Sequence, residues 1–227
     1  MAKSQLLKDT VSEQSSFENI LLRLKVILSN LDNELIMSWI EGELTGYKLD
    51  DKLPDYRVVT GIPMGKFIVN GSFEYTDSQV PLGQVLEPDM IKDLVRMPIL
   101  DTIKTLEEIL SGENKEDYCL VVPTELCHGI STQELQILAM KIKCPSNFIS
   151  KVISNVKSKL VDVIMELEKQ YENLDELDIK SQVEENKHKK EKVIFNIENI
   201  IFDGSIKMGN NNKIKRSKFW SFFGGEK

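Results

Sequence analysis

Apolar positions between residues 15 and 45 recur at steps of three and four, and this spacing predicts two consecutive helices. Ser15 and Glu18 have the spacing of a capping box and predict the start of the first helix. Either Asp32 or Asn33 can end it and cap the next, so that the two apolar faces meet in a helical hairpin. The face of the first helix consists of Phe17, Ile20, Leu21, Leu24, Ile27, Leu28 and Leu31.

The stretch from Asn33 to Arg57, NELIMSWIEGELTGYKLDDKLPDYR, holds the densest structural pattern in the chain. Gly46 would end the second helix, because a left-handed C-terminal residue costs glycine no clash with a Cβ atom. We predict that Trp39 fills the joint between the helical hairpin and the following strands. The acidic side chains of this region are expected to solvate a helix face and a loop; they are Glu41, Glu43, Asp50, Asp51 and Asp55. The structural motif of the joint comprises Trp39, Gly46, Tyr47, Pro54, Tyr56 and Arg57.

From Tyr56 onward the pattern indicates β-structure, with strands YRVVT, KFIV and SFEY. Asn70 and Gly71 separate the last two and favour a type I′ hairpin turn. Pro88 can occupy the first turn of a short helix. A further helix is predicted from Ile99 to Leu110.

The middle of the chain predicts a strand over Tyr118 to Val122 and a short helix over Leu135 to Ile142. Ser146 then caps the longest helix. Its apolar positions keep helical spacing over about five turns. They are Phe148, Ile149, Val152, Ile153, Val156, Leu160, Val163, Ile164 and Leu167.

After Tyr171 the composition changes twice. Residues 173–192 are rich in charge and read as a linker or a helical extension. Residues 193–214 alternate apolar residues with Asn, Glu, Asp and Lys, which indicates a β tail, either a module that stacks with other subunits or a hairpin on the main domain. The candidate oligomerisation residues are Ile194, Ile197, Ile200, Ile206 and Ile214.

The final residues place basic side chains next to aromatic ones, in the sequence KIKRSKFWSFFGGEK. Such a tail suits docking on its own protein or a neighbouring subunit, contact with another protein, or an anionic membrane surface. The candidate contact residues are Lys215, Arg216, Phe219, Trp220, Phe222 and Phe223.

These elements together predict an α+β fold, in which the helical hairpin and the long later helix pack on a small antiparallel sheet, with a C-terminal β tail. The expected division is an α+β domain over residues 1–172, a charged linker or helical extension over 173–192, and a β-rich tail over 193–227. The length of 227 residues is sufficient for a real hydrophobic core.

The composition of the chain bears on its partners, its location and the state of its cysteines. The formal net charge of −7 argues against nucleic-acid binding by the main domain, because neutralisation of phosphate dominates that affinity. No apolar run approaches the length of a membrane span and the N-terminus lacks a signal-peptide pattern, so a cytoplasmic location is expected. Three cysteines without CxxC spacing fit reduced thiols better than disulfides or a zinc site.

Few residues of the sequence suggest a catalytic or ligand-binding site. Cys127 precedes His128, but neighbours in sequence do not generally present their side chains to one another, so a structural role is expected. Residues 61–66, GIPMGK, are one residue short of a phosphate-binding loop and more simply link two strands. His188 lies in a charged segment and is expected to be solvated. No catalytic, metal-binding or cofactor-binding residue is therefore assigned, and no cofactor is expected.

The N-terminal part resembles the AbiTii domain of bacterial abortive infection proteins. The resemblance lies in LLRLKVILSNLDNELIMSWIEGELTGYKLDDKLPDYR, with further support from MIKDLVRMPILDTIKTLEEIL and VISNVKSKLVDVIMELEK. It covers roughly residues 4–171 and implies a cytoplasmic prokaryotic protein that contributes to phage resistance. It brings no catalytic residues that match this chain.

Two functional classes follow from this resemblance. In the first, the chain is a non-enzymatic binding or sensing module that forms homo-oligomers through its tail. The alternative is a toxic enzyme, a nuclease or a nucleotide-cleaving effector, whose site is assembled only in three dimensions.

Overall fold

The computed structural model describes residues 3–12, 15–112 and 118–202. Within them the chain forms nine α-helices, which are α1 (Gln5–Ser12), α2 (Phe17–Ser29), α3 (Glu34–Thr45), α4 (Pro88–Leu94), α5 (Ile103–Ser111), α6 (Thr124–Ile130), α7 (Phe148–Gln170), α8 (Lys180–Glu185) and α9 (Lys187–Ile201). The six strands are β1 (Val58–Thr60), β2 (Ile62–Val69), β3 (Phe73–Gln79), β4 (Arg96–Pro98), β5 (Cys119–Val122) and β6 (Leu135–Lys143). The predicted α+β class is confirmed.

The described residues divide into two compact units. The first, the helical unit, takes the residues up to Arg57, those from Ile99 to Ser111, and those from Ile149 onward. It therefore contains α1 to α3, α5 and α7 to α9. The second, the sheet unit, takes the remaining described residues and contains all six strands with α4 and α6.

The predicted helical hairpin is formed by α2 and α3. The side chain of Ser16, rather than that of Ser15, caps α2 by accepting a hydrogen bond from the Asn19 amide at 3.2 Å. Asn33 caps α3 as predicted, by accepting from the Ile36 amide at 2.8 Å. Gly46 follows the last turn of α3 with φ of +89°, in a region that glycine adopts readily.

The core of the helical unit follows the predicted helical spacing. Trp39 of α3 is only 1% exposed. Buried positions continue along the inner face of α7 at steps of three and four, as the pattern predicted. These α7 residues are Ile149, Val152, Val156, Leu160, Val163, Ile164 and Leu167.

The sheet unit contains a four-stranded antiparallel sheet in the order β3-β2-β6-β5 and a two-stranded pair of β1 with β4. Asn70 and Gly71 join β2 to β3 with φ of +49° and +67°, which confirms the predicted hairpin turn. Pro88 is the first residue of α4, also as predicted. Residues 61–66 lead into and form the first part of β2 and do not form a phosphate-binding loop.

The predicted helix over Leu135 to Ile142 is wrong, because this segment is the strand β6, paired with β2 on one side and β5 on the other. Its buried residues Leu135, Ile137, Met140 and Ile142 do not alternate perfectly. Pairing shifts there, so that Lys66 faces Ala139 but Phe67 faces Ile137, and Leu138 is the extra residue of a β-bulge. Because of the bulge, the buried residues of β6 do not recur at every second position, so the sequence lacks the regular alternation that indicates a strand.

The C-terminal prediction also needs correction. Residues 193–201 are not β-structure but the second half of α9, where Val193, Ile197 and Ile201 are buried at steps of four. Residues 173–192 carry α8 and the start of α9, include the buried residues Leu174 and Val183, and lie in the helical unit. Residues 203–227 lie outside the described residues.

No helix in the described part of the chain is long and apolar enough to cross a membrane.

Gly65 gives a test of the sheet. A Cβ atom on this residue would lie 2.1 Å from the carbonyl oxygen of Ala139 on β6, so Gly65→Ala forces β2 and β6 apart. We expect a loss of about 1 to 3 kcal/mol in the free energy of unfolding, measured by urea denaturation. Gly83→Ala is the control, because no atom lies within 4 Å of its added Cβ. Equal stability of the two variants would contradict the close approach.

Candidate functional site

Five residues of the Asn33–Arg57 stretch meet in one buried cluster of the helical unit. Glu43 lies on the inner face of α3, one helical turn after Trp39, and its side chain has no exposed surface. The expectation that Glu43 solvates a helix face is therefore wrong. A carboxylate without water needs partners that replace every lost hydrogen bond.

A 3-10 turn over Asp55–Arg57 supplies two of those partners. Buried Pro54 precedes the turn, and its carbonyl accepts a hydrogen bond from the Arg57 amide at 2.9 Å. The turn directs Tyr56 and Arg57 inward while Asp55 stays exposed. The Ile99 amide then donates to the Arg57 carbonyl at 2.7 Å, which fixes the backbone of Arg57 to the segment before α5.

Glu43 and Arg57 form an ion pair in which both side chains are fully buried. Arg57 Nη2 donates to Glu43 Oε2, and Arg57 Nε donates to Glu43 Oε1 at 3.2 Å. The third guanidinium nitrogen, Nη1, donates to the carbonyl oxygen of Asp101 at 2.7 Å. The planar guanidinium is therefore engaged on all of its nitrogens.

Three aromatic side chains complete the cluster. The hydroxyls of Tyr47 and Tyr56 each donate to Glu43 Oε1 at 2.9 Å, and the Tyr56 hydroxyl accepts from Trp39 Nε1 at 2.8 Å. The Tyr47 ring also lies against Arg57, with 5.3 Å between guanidinium carbon and ring centroid. We call Trp39, Glu43, Tyr47, Tyr56 and Arg57 the buried network.

Gly42 makes room for this arrangement. A Cβ atom on Gly42 would lie 2.2 Å from the ring of Tyr47, so a larger residue would displace that ring. Sequence reasoning assigned no role to Gly42, although a glycine inside a helical pattern signals a packing or functional reason.

The electrostatics of the network favour its present protonation. Burial, and then the charge of Glu43, raise the pKa of Tyr47 and of Tyr56 well above the usual value of about 10. Burial alone would lower the pKa of Arg57, but the Glu43 carboxylate outweighs it and raises this pKa further. The tyrosines remain hydrogen-bond donors and the arginine remains charged.

The network holds elements of the helical unit together, and its side chains are buried. Trp39, Tyr47 and Tyr56 are at most 9% exposed, and both charged side chains are fully buried. Of the motif residues predicted from sequence, Trp39, Tyr47, Tyr56 and Arg57 belong to the network, while Gly46 and Pro54 position the chain on either side. Sequence reasoning included Glu43 in the family pattern but missed its burial.

The other candidate chemical groups lie apart from one another. On α6, the Cys127 side chain is fully buried whereas His128 is exposed, so the two side chains point to different surroundings. Burial raises the pKa of the Cys127 thiol, and it raises that of Cys144 to about 11. All three cysteines are free.

The acidic residues near α3 are engaged locally. Glu41 pairs with Lys25 at 3.1 Å, and Asp51 accepts from the Lys48 amide at 2.7 Å. Within the described ranges, no group of three or more His, Cys, Asp or Glu residues is arranged to hold a metal ion.

A surface cleft of about 460 Å³ lies between the α2–α3 turn and the start of α9. Charged residues of both signs line it. Lys190 pairs with Asp32 across it at 3.1 Å, and Lys180 pairs with Glu184 one turn further along α8 at 4.0 Å. Lys180 and Lys190 therefore already have carboxylate partners.

The predicted oligomerisation residues are divided between two parts of the chain. Ile197 is buried in α9, and Ile194 and Ile200 are half-buried there. The remaining tail candidates lie outside the described residues; they are Ile206, Ile214, Lys215, Arg216, Phe219, Trp220, Phe222 and Phe223.

Neutralisation of the ion pair tests the energetic coupling of the network. Glu43→Gln and Arg57→Met should each destabilise the chain by about 3 to 5 kcal/mol, because each leaves the other charge buried without its partner. The double variant should cost about 2 kcal/mol less than the sum of the two, since removal of both charges leaves neither of them buried without its partner. Urea denaturation of the four proteins measures this coupling, and additive losses would show that the two charges do not depend on each other.

The tyrosines predict loss of stability at high pH. Unfolded tyrosines lose their protons as pH rises above about 10, whereas the buried ones keep them, so each raised pKa lowers the free energy of unfolding by about 1.4 kcal/mol per pH unit there. We expect Tyr56→Phe to make the decline between pH 10 and 11 less steep, as measured by urea denaturation. Tyr75→Phe, on exposed β3, should leave the slope unchanged. An identical slope in all three proteins would contradict the buried network.

A family comparison covers the region of the chain that holds the buried network. No curated protein sequence and no solved structure matches the chain significantly. The AbiTii family model matches residues 4–193, which include the buried network and all of α7 and α8. This match covers most of the chain, and the chain therefore belongs to the AbiTii family.

Proposed function

We propose that this chain serves phage defence as a non-catalytic module that binds or senses a partner. Membership of the AbiTii family associates the chain with abortive infection, in which an infected cell stops growing or dies before phage progeny emerge. The observation that carries the non-catalytic part is the closure of the buried network. The polar side chains of the buried network, which lies in the most family-specific stretch, contact one another and are buried from solvent.

A catalytic group has to come within hydrogen-bond reach of the atoms that react. Glu43 would be the strongest candidate for an acid or base, but its Oε1 already accepts from Tyr47, Tyr56 and Arg57. For the Glu43 carboxylate to contact a substrate, its ion pair with Arg57 would have to separate inside the core, at a cost of several kcal/mol. The network is therefore proposed to maintain the fold, and partner recognition is proposed to use exposed side chains.

We also propose that the chain self-associates through residues 203–227. This segment carries six Lys or Arg residues and two acidic ones, although the whole chain has a net charge of −7. Opposite charge on the tail and on the remainder favours contact between copies. Linking several binding modules in this way would raise the effective concentration of each. Contact of the basic and aromatic tail residues with another protein or with an anionic membrane is the competing use of this segment.

Phage plating tests the non-catalytic role. The double variant Glu43→Gln with Arg57→Met removes both buried charges, and we expect it to protect cells in proportion to the soluble protein that immunoblotting detects. Glu41→Gln, an exposed change on the same helix, is the matched control and should protect as the native chain does.

Two outcomes oppose the proposal. Full soluble levels of the double variant without protection would assign chemistry to Glu43 or Arg57 and favour an enzyme. Absence of protection by the native chain against a broad phage panel would contradict the defence role itself.

A further inference from the structure

The strand β3 forms one edge of the four-stranded sheet, and among the described residues it pairs only with β2. All of its residues are exposed except half-buried Ser78. An edge strand directs alternate amide and carbonyl groups away from its single neighbour, where another strand can pair with them. Neither lysine nor proline, the residues that commonly block such edges, occurs in β3.

The apolar face of the sheet continues onto this edge. Phe67 on β2 is 4% exposed and stacks on Tyr75 of β3, with ring centroids 5.1 Å apart and ring planes at 14°. Phe73, which pairs with Val69 on the same face, is 61% exposed. A row of aromatic contacts therefore begins in the core and ends exposed on β3, where a further strand could extend it.

Irregular pairing limits the usable length of the edge. Gly65 pairs with Ser78 and Phe67 with Tyr75, so Thr76 and Asp77 share a single opposite residue. Asp77 has φ of +47°, as expected at a bulge. The regular part of the edge is residues 73–75, which suits a short strand rather than a long one.

We propose that a short strand from within residues 213–223 of a second copy of this chain adds to the outer edge of β3, along residues 73–75. This inference rests on the proposed self-association and names its docking surface. The ten residues 203–212 can span up to about 33 Å, which gives the segment reach beyond its own helical unit.

The sequence of the segment complements the edge. Adjacent residues of a strand face opposite sides of a sheet. Ile214 opposite Tyr75 would therefore place Lys215 on the same face as Glu74. Phe219 opposite Tyr75 would place Lys218 on that face in the same way. An apolar contact and an opposite-charge contact are thus available in one register.

The opposite edge of the sheet does not offer this match. On β5, Val121 is 72% exposed but pairs with Lys141, and Cys119 pairs with Lys143. Two lysines beside the β5 edge would repel the basic tail.

On the β3 edge, Lys66 of β2 pairs with Glu74 at 2.7 Å, but Asp77 adds a second acidic side chain, so this edge keeps a net negative charge that attracts the tail. The two edges therefore differ in charge, and this difference selects β3.

Light scattering of the full chain tests the proposal. Phe73→Lys should weaken self-association by about tenfold or more, because a charge opposes the aromatic row. Glu74→Lys should do the same through charge alone. Val121→Lys, an equally exposed change on the other edge, should have no effect. Melting curves of all variants check that each remains folded.

Cross-linking identifies the contact directly. A photoreactive phenylalanine analogue at position 73 of the full chain should cross-link to residues 213–223, and mixtures of ¹⁴N and ¹⁵N protein should place that link between copies. A monomeric native chain would overturn the self-association. An oligomer that resists Phe73→Lys and Glu74→Lys, or whose links are within one copy or to other segments, would overturn the β3 docking alone.

Discussion

The helical unit depends on a buried ion pair that is stable only when all of its neighbours are in place. Removal of Glu43 and Arg57 from water costs several kcal/mol for each charge, and their mutual attraction compensates only with good geometry and additional hydrogen bonds. Two tyrosine hydroxyls and the Asp101 carbonyl supply those bonds. The pair thereby connects α3, the 3-10 turn before β1 and the segment before α5, so that displacement of any of them leaves a charge unsatisfied in the core.

This constraint explains why some parts of the fold, including four network residues as members of a structural motif, could be predicted and the burial of Glu43 could not. Asn33, Pro88 and the Asn70-Gly71 pair act through their own backbone or their nearest neighbours, so their local sequence is sufficient. The burial of Glu43 depends instead on Arg57, fourteen residues later, and on a turn that brings the two together. A glutamate on a helix is normally solvated, and the residues adjacent to Glu43 do not indicate that Arg57 is its partner.

Two wrong predictions have a common physical origin. The β6 segment contains Leu, Ala, Met and Lys, all good helix formers, but its pairing with β2 and β5 outweighs these weak preferences. In α9, Ile194, Ile197 and Ile200 are three residues apart, a spacing that fits a helix, yet intervening polar residues gave the appearance of β alternation. A short apolar run can fit both the helical spacing of three to four residues and the strand spacing of two, and tertiary contacts then decide which structure forms.

Closure of the network separates the residues that hold the helical unit together from those on the surface. The members of the buried network contact one another in the core, so substitution of any of them disturbs the fold. Exposed surfaces carry no such constraint, and the described surface offers chemically different choices on one sheet: an aromatic, acidic edge at β3 and a lysine-flanked edge at β5. Substitutions at these exposed edges change the surface of the sheet unit and none of the contacts of Glu43 and Arg57, which lie within the helical unit.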